Sequence, residues 1–267
     1  MNNYIKITFT KLSQEQKDIL IAQLSEIGFD GFEERESDLD AFIPADNYHD
    51  DTLASIDFTF QKSIIEPENW NELWESNFPP VIVDDFVAVR ADFHPQIPNV
   101  IHEILITPKM SFGTGHHATT HMMMQQMRDI DFTNKTVFDF GTGTGILAIL
   151  ADKLKASNIL AIDNDEWSIN NATENIQKNN CSSISIQLAD KPLMEQKFDI
   201  ILANITKNII LENFSLLSDQ LNKNGTLLVS GLLEGDEDEI LEAGKKHSLI
   251  PGIRLKRHNW LCMRFLR

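Results

Sequence analysis

Cysteine is scarce in this chain, and its two residues, Cys181 and Cys262, lie far apart in sequence. No CxxC pair exists, which excludes a zinc ribbon or a thioredoxin-type site. A disulfide framework is equally unsupported, so a reducing, cytoplasmic setting is expected. Basic residues are also few: 23 Lys and Arg stand against 40 Asp and Glu, a net charge of −17. So acidic a surface repels phosphate backbones, and direct nucleic-acid binding is not expected. It attracts basic partners instead. No apolar run approaches the ~18 residues a membrane span needs. The first residues, Met1-Asn2-Asn3-Tyr4-Ile5-Lys6, lack the apolar stretch of a secretory leader. What remains is an ordinary globular composition, 42% hydrophobic and 24% charged.

The first quarter reads as strand, helix, strand, strand, helix, strand. Ile5, Ile7 and Phe9 alternate with Lys6 and Thr8, a period of two. Ser13 followed by Gln16 is a capping-box signature, and Leu20, Leu24 and Ile27 form one helical stripe ending at Gly28. Gly31–Arg35 and Leu39–Ile43 predict a hairpin, His49–Ile56 a second helix and Phe58–Ile65 a last strand. This βαββαβ order predicts a ferredoxin-like α+β domain over residues 1–66. That segment holds 14 acids and 5 bases, six of the acids between Asp30 and Asp40. A solvated rim and a docking face for a basic protein both fit that crowding.

Residues 67–110 read as a connector. Pro67 opens a helix carrying Trp70, Leu73 and Trp74, which Phe78-Pro79-Pro80 stops. Strands follow at Val81–Val83, Phe86–Arg90 and Ile101–Thr107. From 111 to 267 strands and helices alternate, which predicts an α/β, Rossmann-like domain with a parallel sheet. Two final strands, Leu249–Leu255 and Asn259–Leu266, predict an antiparallel edge.

Within that domain the strand Val137–Phe140 runs into Gly141-Thr142-Gly143-Thr144-Gly145, and a helix follows at once. Glycines let a backbone turn sharply against a ligand, and the helix start offers unpaired N–H groups. A dinucleotide site has G-x-G-x-x-G spacing for a pyrophosphate. Here the spacing is G-x-G-x-G, with Asp139 just ahead of it. An acid there suits the cationic amino-acid moiety of S-adenosylmethionine better than a phosphate. Asp163 ends the next strand, about 20 residues on, where a carboxylate can accept ribose hydroxyls. Asp165 is the better N-cap for the following helix. Asp190 can reach an adenine amino group or be a surface turn acid.

Ser111-Phe112-Gly113-Thr114-Gly115-His116-His117 with Thr119-Thr120 is a second glycine-rich entry to a helix. Adjacent histidines on a helix do not face one site, so no metal is expected. The strand Phe198–Ala203 ends at Asn204, where doubly wound sheets keep their active sites. It lacks the Pro-Pro-aromatic continuation that grips flat substrate nitrogens, so an aliphatic amine is favoured.

These segments resemble one family, the PrmA methyltransferases of large-subunit ribosomal protein eleven. The resemblance rests on Glu68–Trp74 with Phe78-Pro79, on Phe112–His116 with Thr119-Thr120, on Asp139–Gly145 and on Ala203-Asn204-Ile205. Ala118 departs from a frequent proline, and Thr142 from a common cysteine. The resemblance implies a class I S-adenosylmethionine-dependent methyltransferase of lysine ε-amines and an N-terminal α-amine, with a ferredoxin-like domain that recognises the ribosomal protein. The cofactor contacts it carries over are Thr120, Gly141, Asp163 and Asn204. Asp139 and Gly143 join them from the loop chemistry, and Asn204 is the candidate for orienting the amine. His116 and His117 are candidate bases. A monomer without membrane attachment is expected. Four alternatives are a class I enzyme for another protein or a small amine, a nucleic-acid methyltransferase, an NAD-dependent oxidoreductase and a silent S-adenosylmethionine sensor.

Overall fold

A computed structural model describes residues 4–49, 51–54, 56–65, 79–108, 115–192 and 196–267. The expected helix carrying Trp70 and Trp74, and the residues Phe112-Gly113-Thr114, lie outside them. The chain divides into two compact units, Met1–Phe78 and Pro79–Arg267. Residues 79–110 of the expected connector therefore fall in the second unit.

The first unit comprises β1 (Tyr4–Phe9), α1 (Gln14–Glu26), β2 (Gly31–Glu34), β3 (Leu39–Pro44) and β4 (Phe60–Ile65). Its sheet has the order β2-β3-β1-β4, and every pair is antiparallel. This is the ferredoxin-like arrangement. Ile5, Ile7 and Phe9 of β1 are buried with Leu39, Ala41 and Ile43 of β3, against Leu20 and Leu24 of α1. The capping box forms as the sequence predicts: the Ser13 side chain accepts from the Gln16 N–H, and the Gln16 side chain accepts from the Ser13 N–H. Ser13→Ala is expected to cost about 1 kcal/mol, read as a lower urea midpoint for this unit's unfolding.

The second helix does not form among the described residues of 49–56. Isolated turns replace it, closed by Thr52 N–H to His49 O and Ile56 N–H to Leu53 O. The Thr52 hydroxyl accepts from the His49 N–H at 2.7 Å. Polar side chains that bond nearby backbone offer it an alternative to the helix, and this segment buries little beyond Leu53.

The second unit begins with a small sheet, β5 (Val81–Val83), β6 (Val87–Ala91) and β7 (His102–Ile106). Then follow α2 (Ala118–Met127), β8 (Thr136–Phe140), α3 (Ile146–Lys153), β9 (Asn158–Asp163), α4 (Glu166–Lys178) and β10 (Ile184–Leu188). The chain ends with β11 (Phe198–Asn204), α5 (Lys207–Asp219), β12 (Leu221–Leu233), α6 (Glu237–Lys246), β13 (Ile250–Arg257) and β14 (Trp260–Leu266). Side chains tie β7 to α4 and the segment after it. The Leu105 N–H donates to Asn179 and the Thr107 N–H to Asn175.

The large sheet has the order β10-β9-β8-β11-β12-β14-β13. Strands β8 to β12 pair in parallel, and β14 runs antiparallel to both its neighbours. The fold is α/β and Rossmann-like. The terminal strand pair is not a simple edge, because the last strand inserts between β12 and β13. Strand order reverses at the β8–β11 boundary, and ligands of such sheets bind outside the carboxyl ends at that point. Among the described residues no helix is long and apolar enough to cross a membrane.

Candidate functional site

The glycine loop leaves β8 at the switch point. The Gly141 and Thr142 N–H groups both donate to Ile162 O of β9, each at 2.9 Å, which turns the chain sharply. Gly141 has φ +76°, and a Cβ there would lie 2.3 Å from Ile205 Cγ2. A side chain at this position would thus meet both strained backbone and occupied space.

Asp163 ends β9 at the edge of the loop. One carboxylate oxygen accepts from the Gly143 N–H at 2.8 Å, the other from the Asp165 N–H at 3.0 Å. Its carboxylate is held in place and keeps lone pairs for a ligand. Asp165 caps α4 through the Trp167 and Ser168 N–H groups, as the sequence predicts.

Asn204 ends β11 across the switch point. Its Nδ2 donates to Thr120 Oγ1 at 3.0 Å. Thr120 sits on the first turn of α2, which His117 caps by accepting from the Thr119 N–H. Two residues 84 positions apart in sequence are thus brought together. Asn204 is 9% exposed, and its Oδ1 has no hydrogen-bond partner among the described residues. A buried carboxamide oxygen left this way costs free energy until a donor reaches it.

A cavity of about 370 Å³ joins these elements. Gly143, Asp163, Asn164 and Ser168 line it from the β9 side of β8, and Asn204, Ile205, Thr206, Ile209, Gly231 and Trp260 from the β11 side, with His117 of the α2 N-cap. A smaller pocket of about 20 Å³ beneath the loop is lined by Thr120, Gly141, Gly143 and Asn204, among others. Gly141, Gly143, Asp163 and Asn204 therefore stand on the main cavity, with Thr120 in the adjoining pocket.

Asp139 differs from the expectation of a wall residue, since it lines neither space. Phe138 and Phe140 pack into the core on one face of β8, and strand alternation turns Asp139 to the opposite face. There it is 1% exposed. One oxygen accepts from the Thr142 hydroxyl at 2.6 Å, and the other has no partner among the described residues. Burial pushes its pKa up to about 7, against the lowering pull of the Thr142 hydrogen bond.

Of the two adjacent histidines, only His117 reaches the cavity; the His116 ring bonds to Pro79 O at 2.8 Å. Asp190 is exposed and stands apart from both spaces. Among the described residues no three His, Cys, Asp or Glu side chains gather in a metal-holding group.

Sequence reasoning missed Trp260, Gly231 and Ile205. A glycine inside a strand pattern signals a bulge, and the β12–β14 register does shift between Ser230 and Leu232. That signal could have found Gly231. Nothing local marks Trp260, which follows a two-residue turn at His258 and Asn259, both with left-handed φ.

The sequence pattern of the family described as "Ribosomal protein L11 methyltransferase (PrmA)" matches residues 6–267. A protein of that name from Porphyromonas gingivalis is 41% identical, with 93% of this chain and 90% of that protein covered. Another from Bacteroides fragilis is 34% identical, with 98% and 99% covered. A solved structure of a ribosomal protein L11 methylase from Lactobacillus delbrueckii subsp. bulgaricus matches with a TM-score of 0.67 at 28% identity. That match covers 71% of this chain and 99% of the solved one.

Proposed function

Because this chain belongs to the ribosomal protein L11 methyltransferase family, we propose that it transfers methyl groups from S-adenosylmethionine to amines of ribosomal protein L11. The observation that carries the proposal is the Thr120–Asn204 pair, which leaves an unpartnered acceptor oxygen at the end of β11. That oxygen, on a residue that lines the same cavity as Asp163, fits a ligand with cationic and hydroxyl donors. No phosphate is needed to satisfy it.

When bound, S-adenosylmethionine supplies a methyl group activated by a sulfonium. Asp163 would hold its ribose hydroxyls, and the Gly141–Gly143 backbone would lie against its nucleoside. Asp139 would brace the loop from behind through Thr142. Asn204 would orient the incoming amine through a side-chain or backbone oxygen, since Nδ2 is committed to Thr120.

A lysine amine has an unperturbed pKa near ~10.4 and reacts only when neutral. Ile205, Ile209 and Trp260 give its end of the cavity an apolar wall. While the sulfonium is in place its like charge disfavours the ammonium there and so lowers the amine's pKa. Asp163, the sole carboxylate on the wall among the described residues, is engaged by two backbone N–H groups on the β9 side. The proton leaves to water or to His117, which lines the same end, before transfer, and much of the rate comes from alignment.

The first unit would dock the basic substrate. Glu33, Glu34 and Glu36 are exposed, whereas Asp40 is 1% exposed and paired with Arg35 at 2.9 Å. The docking charge thus resides in the outer acids. Incubation with labelled S-adenosylmethionine and a ribosomal-protein extract tests the proposal. Label is expected on L11, and label on another protein alone would refute it. Deleting residues 1–66 is expected to spare S-adenosylmethionine affinity and to abolish labelling of L11. An undiminished labelling rate would remove the docking role.

A further inference from the structure

We infer that the Trp260 indole is the surface that holds the acceptor nitrogen in its cationic forms, and that it selects a charged alkylammonium over an uncharged group of the same shape. The inference rests on the methyltransferase reading above and deepens it at the acceptor end of the same cavity.

Among the described residues the acceptor end offers a cation no negatively charged partner. Its other walls among the described residues are Ile205, Thr206, Ile209, the Gly231 backbone, Asn204, Thr119 and His117, with no carboxylate among them. An Asn204 oxygen serves one N–H, and each methyl group added to the nitrogen removes an N–H donor. Hydrogen bonding therefore fades as transfer proceeds. Attraction to an aromatic face needs no N–H and is strongest for tryptophan.

The ring is held for such a task. Trp260 opens β14 directly after the tight turn at His258 and Asn259, and it pairs with Arg257 and Leu233. The Glu234 N–H donates to Asn259 O at 2.9 Å, which fixes the turn. The His117 ring meets the indole at 4.6 Å between centroids and 71° between planes. His117 is itself locked at the N-cap of α2. Trp260 is partly exposed, so ring surface remains for the cavity.

The chemistry balances. The nitrogen lone pair forms the new N–C bond while the S–C bond breaks, and the sulfur leaves as a neutral thioether. The product is an alkylammonium, which Trp260 retains until a proton passes to water or the product departs.

The test uses the full chain saturated with S-adenosylhomocysteine. Calorimetry compares two short peptides, one carrying Nε-trimethyllysine and one carrying its uncharged tert-butyl isostere. The wild-type chain is expected to bind the cationic peptide roughly three- to thirty-fold tighter. Trp260→Leu is expected to erase that preference, and Trp260→Phe to keep part of it. Affinity for S-adenosylmethionine is expected to stay unchanged in both. An unchanged preference in both variants overturns the inference, as does its absence in the wild-type chain. A loss of S-adenosylmethionine affinity with both substitutions also overturns it, because the ring would then serve the donor. Binding is read without turnover, so failure of L11 labelling with the cation preference intact refutes only the broader function.

Discussion

A Gly231→Val chain is expected to lose methyl transfer by on the order of 100-fold or more, the scale of an ångström-sized displacement of reacting groups. Gly231 has φ +88°, and a Cβ there would sit 2.1 Å from Ile205 O and 2.7 Å from Ile205 C. Backbone atoms cannot swing aside as a side-chain tip can. The clash must push either the β12 bulge or the segment after β11. Asn204 immediately precedes Ile205, and the Ile205 N–H donates to Ser230 O at 3.1 Å. Either displacement disturbs the backbone that sets the Asn204–Thr120 bond. Initial-rate assays with labelled S-adenosylmethionine measure the effect, and a rate within twofold of wild type would show that the bulge does not hold the site. Thermal unfolding of the same chain separates displacement from collapse, since overpacking typically costs about 1–3 kcal/mol.

Asp163→Ala is expected to weaken S-adenosylmethionine binding by at least ~1.5 kcal/mol, roughly tenfold, on the scale of hydrogen bonds to a charged acceptor. Two effects add. The ligand loses the acceptor for its ribose, and the loop loses the bond from the Gly143 N–H. Asp163→Asn separates them. One amide oxygen can still accept from Gly143, so the loop keeps its shape while the charge is gone. Calorimetry on both chains checks the order: Ala weakest, Asn intermediate, wild type tightest. An unchanged affinity in Asp163→Ala would remove this residue from the binding site.

Much of this architecture is legible in local patterns. The alternation of Ile5, Ile7 and Phe9 predicts a one-sided strand, and all three are buried. The Ser13–Gln16 box forms, and Asp165 caps α4 in preference to Asp163. A two-residue period marks the strand's buried face and local hydrogen bonding decides the two caps, so a few neighbouring residues suffice. The helix expected at His49–Ile56 fails for the same kind of reason. Among the described residues the Thr52 hydroxyl bonds nearby backbone, and only the packed structure reveals too few apolar contacts to overrule it.

The site divides along the same line. Gly141, Gly143 and Asp163 belong to one strand–loop–helix–strand unit, whose spacing alone carries their chemistry. Thr120 and Asn204 are each marked by position, at a helix start and a strand end. Their direct bond exists because β11 lies beside β8 and α2 arrives over the switch point.

Residue order and spacing were enough to settle the α/β class, the glycine loop and the acid beyond it, because each depends on contacts within about thirty residues. Strand order, the insertion of β14 between β12 and β13, and the arrival of Trp260 beside His117 were decided in three dimensions. The physical reason is that such pairings depend on which hydrophobic faces bury each other across the whole sheet. No short window of sequence contains both partners.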